Sequence, residues 1–449
     1  MLFRGLLSLR SNKMWSDLRA SWALLLGFAF MMVGNGLQGT LLGVRATLEG
    51  FPAFTTGIMM SGYFIGILLG SMIAPRLVNR VGHIRVFAAF ASLASISILI
   101  HGLYINAFSW MMMRIVTGIC FAGFYVVTES WLNDRASNET RGKVLSVYML
   151  ITTIGIGSGQ FLLNVANPES IDLFILISVV VSFGLIPILL TARPAPAFDT
   201  LAKMSVLELF RITPLAVISM VLVGVINGII FGLGAMFASR QGFNHSEVAQ
   251  FMASFMLGSL IVQLPFGQLS DRINRRVMII FISVIGLIGC VGAIYFKDQV
   301  ILFLFSTMLI GSAAMPLYSI SIAYANDRLE TDQVVAASGS LVLVSGIGLC
   351  IGPISVSYFM ETHGSIVYFS SLAIAFSMII GFGLYRMGAS DAIKLQDQAP
   401  VIVTGQIGTP VAEYMAPDVS DYVEAVMSGD TEKLELMDKQ EDDDSERQL

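Results

Sequence analysis

Apolar residues run through most of this chain in blocks of about twenty, the length a helix needs to cross the hydrocarbon core of a bilayer. Twelve such blocks are legible, over 22–44, 55–78, 86–104, 110–132, 144–165, 171–192, 213–238, 247–269, 277–296, 300–325, 334–358 and 365–387, and each predicts one spanning helix. A porin-like barrel would instead show ten-residue segments alternating between apolar and polar positions, and the blocks show no such alternation. The 42 glycines fall largely inside the blocks. In lipid, small residues mark the faces on which helices approach one another closely. The expected fold class is an all-α membrane protein with twelve transmembrane helices.

The pattern also repeats. Asn35-Gly36 returns as Asn227-Gly228, Gly50-Phe51 as Gly242-Phe243 and Gly66 as Gly258, at an offset of 192 residues. Asn133-Asp134-Arg135 returns as Asn326-Asp327-Arg328, and Gly155 and Gly159 as Gly348 and Gly352, at an offset of 193. The offset moves by six spans, an even number, so both copies cross in the same sense. That is a parallel repeat about an axis along the membrane normal. It divides the chain into a segment 1–21, a first six-helix bundle 22–192, a linker 193–212 with Pro194 and Pro196, a second bundle 213–387, and a tail 388–449.

Composition sharpens this picture. Mean hydropathy is +0.77 and only 13% of residues are charged, about half the share of a soluble domain, so a water-soluble enzyme is excluded. The overall charge of −5 hides a division. The tail holds 15 acidic and 4 basic residues, while residues 1–387 hold 16 acidic and 22 basic. With the N-terminus in the cytoplasm, 18 Lys and Arg fall on the cytoplasmic side and 3 on the other. This bias places both termini inside. Arg4, Arg10, Lys13 and Arg19 precede the first span without a small-residue cleavage site, so that span is not read as a cleaved signal; whether 1–20 forms a surface amphipathic helix stays open. The tail is expected to be mostly disordered, with one short helix carried by Val419, Tyr422, Val423, Val426 and Met427. Cys120, Cys290 and Cys350 lie in apolar runs and give neither metal spacing nor a disulfide framework. No cofactor, metal or nucleic acid is expected.

Polar residues near span midpoints are the candidates for a solute cavity: Asn35, Gln38, Tyr63, Thr117, Tyr125, Thr152, Asn227, Gln263, Tyr318 and Ser319. Buried amides in lipid need partners, so part of this set is expected simply to bond neighbouring helices. Arg114 lies within span 4, where a permanent charge costs about 2.5–3.5 kcal/mol at a helix centre. It either snorkels outward or acts inside as a cation for an anionic group or a proton. Glu129 is the carboxylate placed inside an apolar span; it pairs with Arg135 or Arg141 or takes part in proton coupling. His101 is expected to be an interfacial or satisfied histidine, and Trp110 and Trp131 to belong to interfacial belts. Arg45 and Glu49 have the spacing of a helical ion pair.

Gly267-Gln268-Leu269-Ser270-Asp271-Arg272-Ile273-Asn274-Arg275-Arg276 resembles the loop motif G-x-L-x-D-R-x-G-R-R of the major facilitator superfamily, departing at Asn274. A second copy around Asn79 and Arg80 carries asparagine in place of the aspartate. Arg114-Ile115-Val116-Thr117-Gly118 resembles that family's R-x-x-x-G motif of span 4. Arg45 to Phe51, Val81 to Phe87 and Glu129 to Asn133 are similar to a bacterial, YcaD-like branch. The resemblance implies two pseudo-symmetric bundles forming an inner-membrane secondary transporter, not an enzyme. It would move a small solute by alternating access, with a proton as coupling ion, as a monomer in lipid. It also implies a gate in which Asn79, Arg80, Asp271, Arg272, Arg275 and Arg276 act as a latch. The competing reading is a membrane solute sensor or scaffold that signals through the tail without transporting.

Overall fold

A computed structural model of the protein describes residues 21–135, 141–190 and 204–389. The N-terminal segment, most of the linker and the acidic tail with its expected helix lie outside the described residues, as do the side chains of Arg135 and Arg141. Among the described residues there is no strand. The first bundle contains α1 (Trp22–Leu48), α2 (Ala53–Val81), α3 (His83–Leu103), α4 (Ala107–Arg135), α5 (Arg141–Phe161) and α6 (Asp172–Leu189). A short α7 (Val206–Ile212) follows, started by Ser205, whose hydroxyl accepts from the Glu208 amide at 3.2 Å. The second bundle contains α8 (Pro214–Arg240), α9 (His245–Ser270), α10 (Arg275–Tyr295), α11 (Val300–Ala314), α12 (Pro316–Asn326), α13 (Thr331–His363) and α14 (Ile366–Ala389). Among the described residues, 11 helical stretches are long and apolar enough to cross a membrane, with α11 and α12 counted as one. Together with α9, of 26 residues, they make the expected twelve.

The tenth predicted span is not one continuous helix. Pro316 has no N–H to give to the helix before it, so the chain breaks at Met315 and restarts as α12. Gly50, Gly242 and Gly364 have φ of 71°, 81° and 84° and turn the chain at one end of the molecule, the far end. Arg76, Arg80, Arg85, Arg272, Arg275 and Arg276, around the α2–α3 and α9–α10 turns, lie at the other, the basic end.

The repeat seen in the sequence is a repeat of helix crossings. In the first bundle Gly66 on α2 and Gly118 on α4 face each other; a Cβ on either would fall 2.8 Å from the other's Cα. In the second bundle Gly258 on α9 and Gly311 on α11 make the same crossing, with a Cβ on Gly311 falling 2.5 Å from the Cα of Phe255. Gly36 and Gly159 press α1 against α5, and Gly228 and Gly352 press α8 against α13. Without side chains at these points the backbones close to contact, which is how helices associate where lipid supplies no hydrophobic drive.

The expected interfacial belt is corrected at both tryptophans. Trp110 is 0% exposed, and its indole donates to the carbonyls of His101 and Tyr104 at 3.0 and 2.9 Å. Trp131 is likewise buried, packed edge-on to His83. Trp110 thus satisfies its polar edge inside the protein. His101 is a satisfied histidine on one ring edge, with Nδ1 2.7 Å from the Ser97 carbonyl.

Candidate functional site: a cavity between the two bundles

At the centre, where the bundles meet, lies a cavity of about 80 Å³. Its lining comes from α1, α2, α4 and α5 on one side and from α8, α9 and Met315 on the other. Six of the residues singled out from the sequence line it: Asn35, Tyr63, Arg114, Tyr125, Thr152 and Gln263. Five others are buried elsewhere. Gln38 reaches the Thr117 hydroxyl, which itself donates to the Met113 carbonyl at 2.7 Å. Asn227 donates to Ala314 O at 3.4 Å. Tyr318 and Ser319 are buried on α12. These five sit on helix faces that pack against other helices.

The sequence reading missed Thr40, Tyr148 and Gln160, all of which line the cavity. Thr40 donates to Gln160 Oε1, joining α1 to α5 near the far end. The signal available was spacing: Asn35, Gly36, Gly39 and Thr40 form one stripe of a helix, as do Tyr148, Thr152, Ile156 and Gln160. Met149, Met252, Met256 and Met315 add an adaptable thioether surface.

Arg114 does not snorkel. Its residue is 3% exposed, and its guanidinium carbon stands 4.4 Å from the centre of the Tyr63 ring, a cation–π contact. Glu129 is 1% exposed and accepts from the Tyr148 hydroxyl at 2.9 Å. The carboxylate therefore reaches the cavity lining through Tyr148. The pairings expected with Arg135 and Arg141 lie outside the described residues.

Contacts between the bundles can be followed at the far end. Arg240 donates to Phe51 O at 2.8 Å, and the Phe54 amide donates to Glu361 Oε2 at 2.9 Å. The rings of Phe54 and Tyr358 meet edge to face. Ser61 donates to the Cys350 carbonyl at 3.0 Å. Gly57 sits so close to α13 that a Cβ would fall 2.6 Å from Pro353 O and overlap Ser357. Gly43 meets Ala235 in the same way. The expected pair of Arg45 and Glu49 is present at 2.6 Å, and Arg45 also donates to Pro168 O at 2.9 Å. Gly57→Leu is expected to pry this end apart. A cysteine placed at Thr152, in a background lacking the native cysteines, should then label at least about tenfold faster with an impermeant maleimide from the far side. An unchanged rate would show that the seam adapts without opening.

At the basic end, Asn79, Arg80, Asp271 and Arg272 are exposed. Asp271 Oδ1 is 4.0 Å from Arg275 of its own bundle. The buried ion pair of this motif is another one: Arg275 pairs with Asp327 at the end of α12 and donates to Ala323 O at 2.7 Å. Arg276 donates to Arg386 O at 3.2 Å, tying the loop to α14. In the first copy His83 takes the position of Arg275 and contacts Ser130, the counterpart of Ala323.

Two parallel bundles around a central, partly polar cavity define the class: a multi-pass membrane protein with a transporter fold. A sequence model described as the Major Facilitator Superfamily matches residues 24–353 and again 216–404. The chain belongs to the major facilitator superfamily. It is 27% identical over 356 residues to an uncharacterized MFS-type transporter, YcaD, of Escherichia fergusonii, covering 78% of this chain and 91% of the relative. A similar protein of Yersinia enterocolitica is 24% identical over 355 residues, with coverage of 78% and 91%. These relatives bear out the YcaD-like branch. Among solved structures, a mutant of the nucleoside transporter NupG superimposes with a TM-score of 0.70 at 13% identity, covering 83% of this chain and 100% of that one. A bacterial homologue of the human lysosomal transporter Spinster, inward-facing and unoccupied, gives 0.63 at 13% identity, covering 90% and 98%. At such identity the likeness concerns the fold. The chain is a membrane transporter by family, not an enzyme.

Proposed function

We propose that the protein is a secondary active transporter that moves a small solute across the bacterial inner membrane by alternating access. One observation carries the proposal. The central cavity draws its walls from both bundles, while the seam between them is bonded at the far end by Arg240, Phe51, Phe54, Glu361 and Gly57. A cavity bounded by two bodies that can rock is the requirement for alternating access. The Lys and Arg bias favours a cytoplasmic basic end and cytoplasmic termini, so the far end would face the periplasm. The protein acts as a monomer, since each chain holds a complete cavity. A proton is the coupling ion. Glu129, joined to the cavity through Tyr148, is the carboxylate that would carry it. The loop motif serves as the cytoplasmic latch, Asp271 engaging across the seam when that side closes.

The test is flux in proteoliposomes of the full chain across a broad panel of solutes, read by solid-supported-membrane currents and by radiolabelled uptake. Solute-dependent uptake that grows with an imposed proton gradient is expected. Arg114→Ala should insert normally and lose at least about 90% of that uptake, because the cation in the cavity is gone. Saturable binding with no flux for any solute would overturn the transporter reading and favour a sensor.

A further inference from the structure

The charge in the cavity is unbalanced. Arg114 is buried, and its Nε and Nη1 have no hydrogen-bond partner. Among the described residues Arg114 takes part in no ion pair. No carboxylate is among the residues lining the cavity. A buried charge without an ionic partner is costly, and the Tyr63 ring offsets part of that cost while satisfying none of the N–H donors.

The internal repeat shows that the fold itself does not need this cation. The crossing of α2 with α4 at Gly66 and Gly118 has its twin in the crossing of α9 with α11 at Gly258 and Gly311. At the offset of 193, Arg114 corresponds to Thr307; at 192, Tyr63 corresponds to Phe255 and Gly62 to Ser254. In the twin, Ser254 and Thr307 bond to each other at 2.6 Å, and Phe255 packs edge-on to the Phe251 ring. The same backbone crossing therefore forms with a self-satisfied neutral pair. The first copy has exchanged it for a guanidinium with free donors and a tyrosine beneath it, both lining the cavity.

The remaining wall is aromatic and thioether, with Phe64, Phe231, Met252, Met256 and Met315 around neutral hydroxyls and amides. A cationic solute would meet repulsion from Arg114, and the Glu129 carboxylate stands behind Tyr148, outside the lining. A neutral one would leave the guanidinium uncompensated. The geometry points to an organic anion with an apolar body as the substrate class, its carboxylate or similar group taking the free donors of Arg114 and its body resting against the Phe and Met wall. A guanidinium N–H gives a carboxylate oxygen a charge-assisted bond, stronger than the one it gives a neutral carbonyl. This rests on the transporter reading, since it names the solute of the same cavity.

The test is equilibrium binding, which needs no flux. The full chain in phosphatidylcholine nanodiscs is heated with 2-naphthoate, with its neutral isostere 2-naphthamide, or with acetate, each up to tens of millimolar. We expect 2-naphthoate to raise the unfolding midpoint in a saturable way, with the amide and acetate at least about tenfold weaker. Arg114→Gln should raise the half-saturating naphthoate concentration by at least about tenfold. Arg114→Lys, which keeps the charge without the planar fork, should fall between the two and serves if the glutamine variant does not fold. No shift with naphthoate, an equal shift with the amide, or an unchanged response in both variants would overturn the inference. Binding of the anion without flux of any solute would keep the anion and sink the transporter. Coupled flux of a neutral or cationic solute would do the reverse.

Discussion

Gly66→Leu is expected to yield no monodisperse folded protein. The Cβ alone would fall 2.8 Å from the Cα of Gly118 and overlap the Ile115 carbonyl, and both are helix backbone. Overpacking usually costs about 1–3 kcal/mol because neighbouring side chains give way. Here no flexible group is available to move, so α2 and α4 must separate along the crossing that holds the first bundle together. Size-exclusion chromatography of membrane extracts in mild detergent checks this. The expected result is loss of the monodisperse peak for Gly66→Leu and for its twin Gly258→Leu. Gly381→Ala serves as the control, because a Cβ at Gly381 meets nothing within 4 Å. A normal peak for Gly66→Leu would mean that the helices tolerate separation, against the close crossing described above.

The second large effect is expected at the basic end. Arg275 and Asp327 each have side chains only 2% exposed. Removing one partner of a buried pair typically costs about 3–5 kcal/mol, because the other charge stays behind in a poor solvent. Asp327→Ala should therefore lower the unfolding midpoint far more than Asp271→Ala, whose side chain is 40% exposed and 4.0 Å from the same arginine. Replacing both members, as Arg275→Met with Asp327→Leu, should recover most of the loss, since apolar residues of similar size need no counter-charge. If the double variant is no more stable than the single one, the pair is not the main support of this loop.

The sequence carried the architecture because membrane helices announce themselves by length and because a duplication leaves a numerical trace. Gly66 and Gly258, or Gly118 and Gly311, could be matched by offset alone, and the matched residues turned out to make matched crossings. The break at Met315 could have been read from Pro316 inside an apolar run. Which face of a span looks inward was much harder to read. A helix that is apolar nearly all round has no polar stripe to mark its buried side, so Gln38 and Asn35 on α1 looked equivalent. Only Asn35 lines the cavity; Gln38 points to Thr117 on α4. Thr40 and Gln160 were overlooked because each lies away from its span's midpoint, although the cavity extends that far toward the far end. The motif drew attention to Asp271, the conspicuous acid of the loop, while the buried partner of Arg275 came from 52 residues away at Asp327. Such a pairing is set by how α10 and α12 pack, which local spacing does not encode.

The seam at the far end has one more consequence, for the return of the empty carrier. Its polar bonds, from Arg240 to Phe51 O and from the Phe54 amide to Glu361, are exposed. When they break, water replaces them, and exchanging a protein bond for water bonds typically costs about 0.5–1.5 kcal/mol net, somewhat more for charged groups. These bonds therefore add little to the closure, which rests on the packing of Gly57 against Pro353 and Ser357 and of Gly43 against Ala235. In the proposed alternating-access cycle, reorientation of the empty protein is then opposed by that packing rather than by polar bonds.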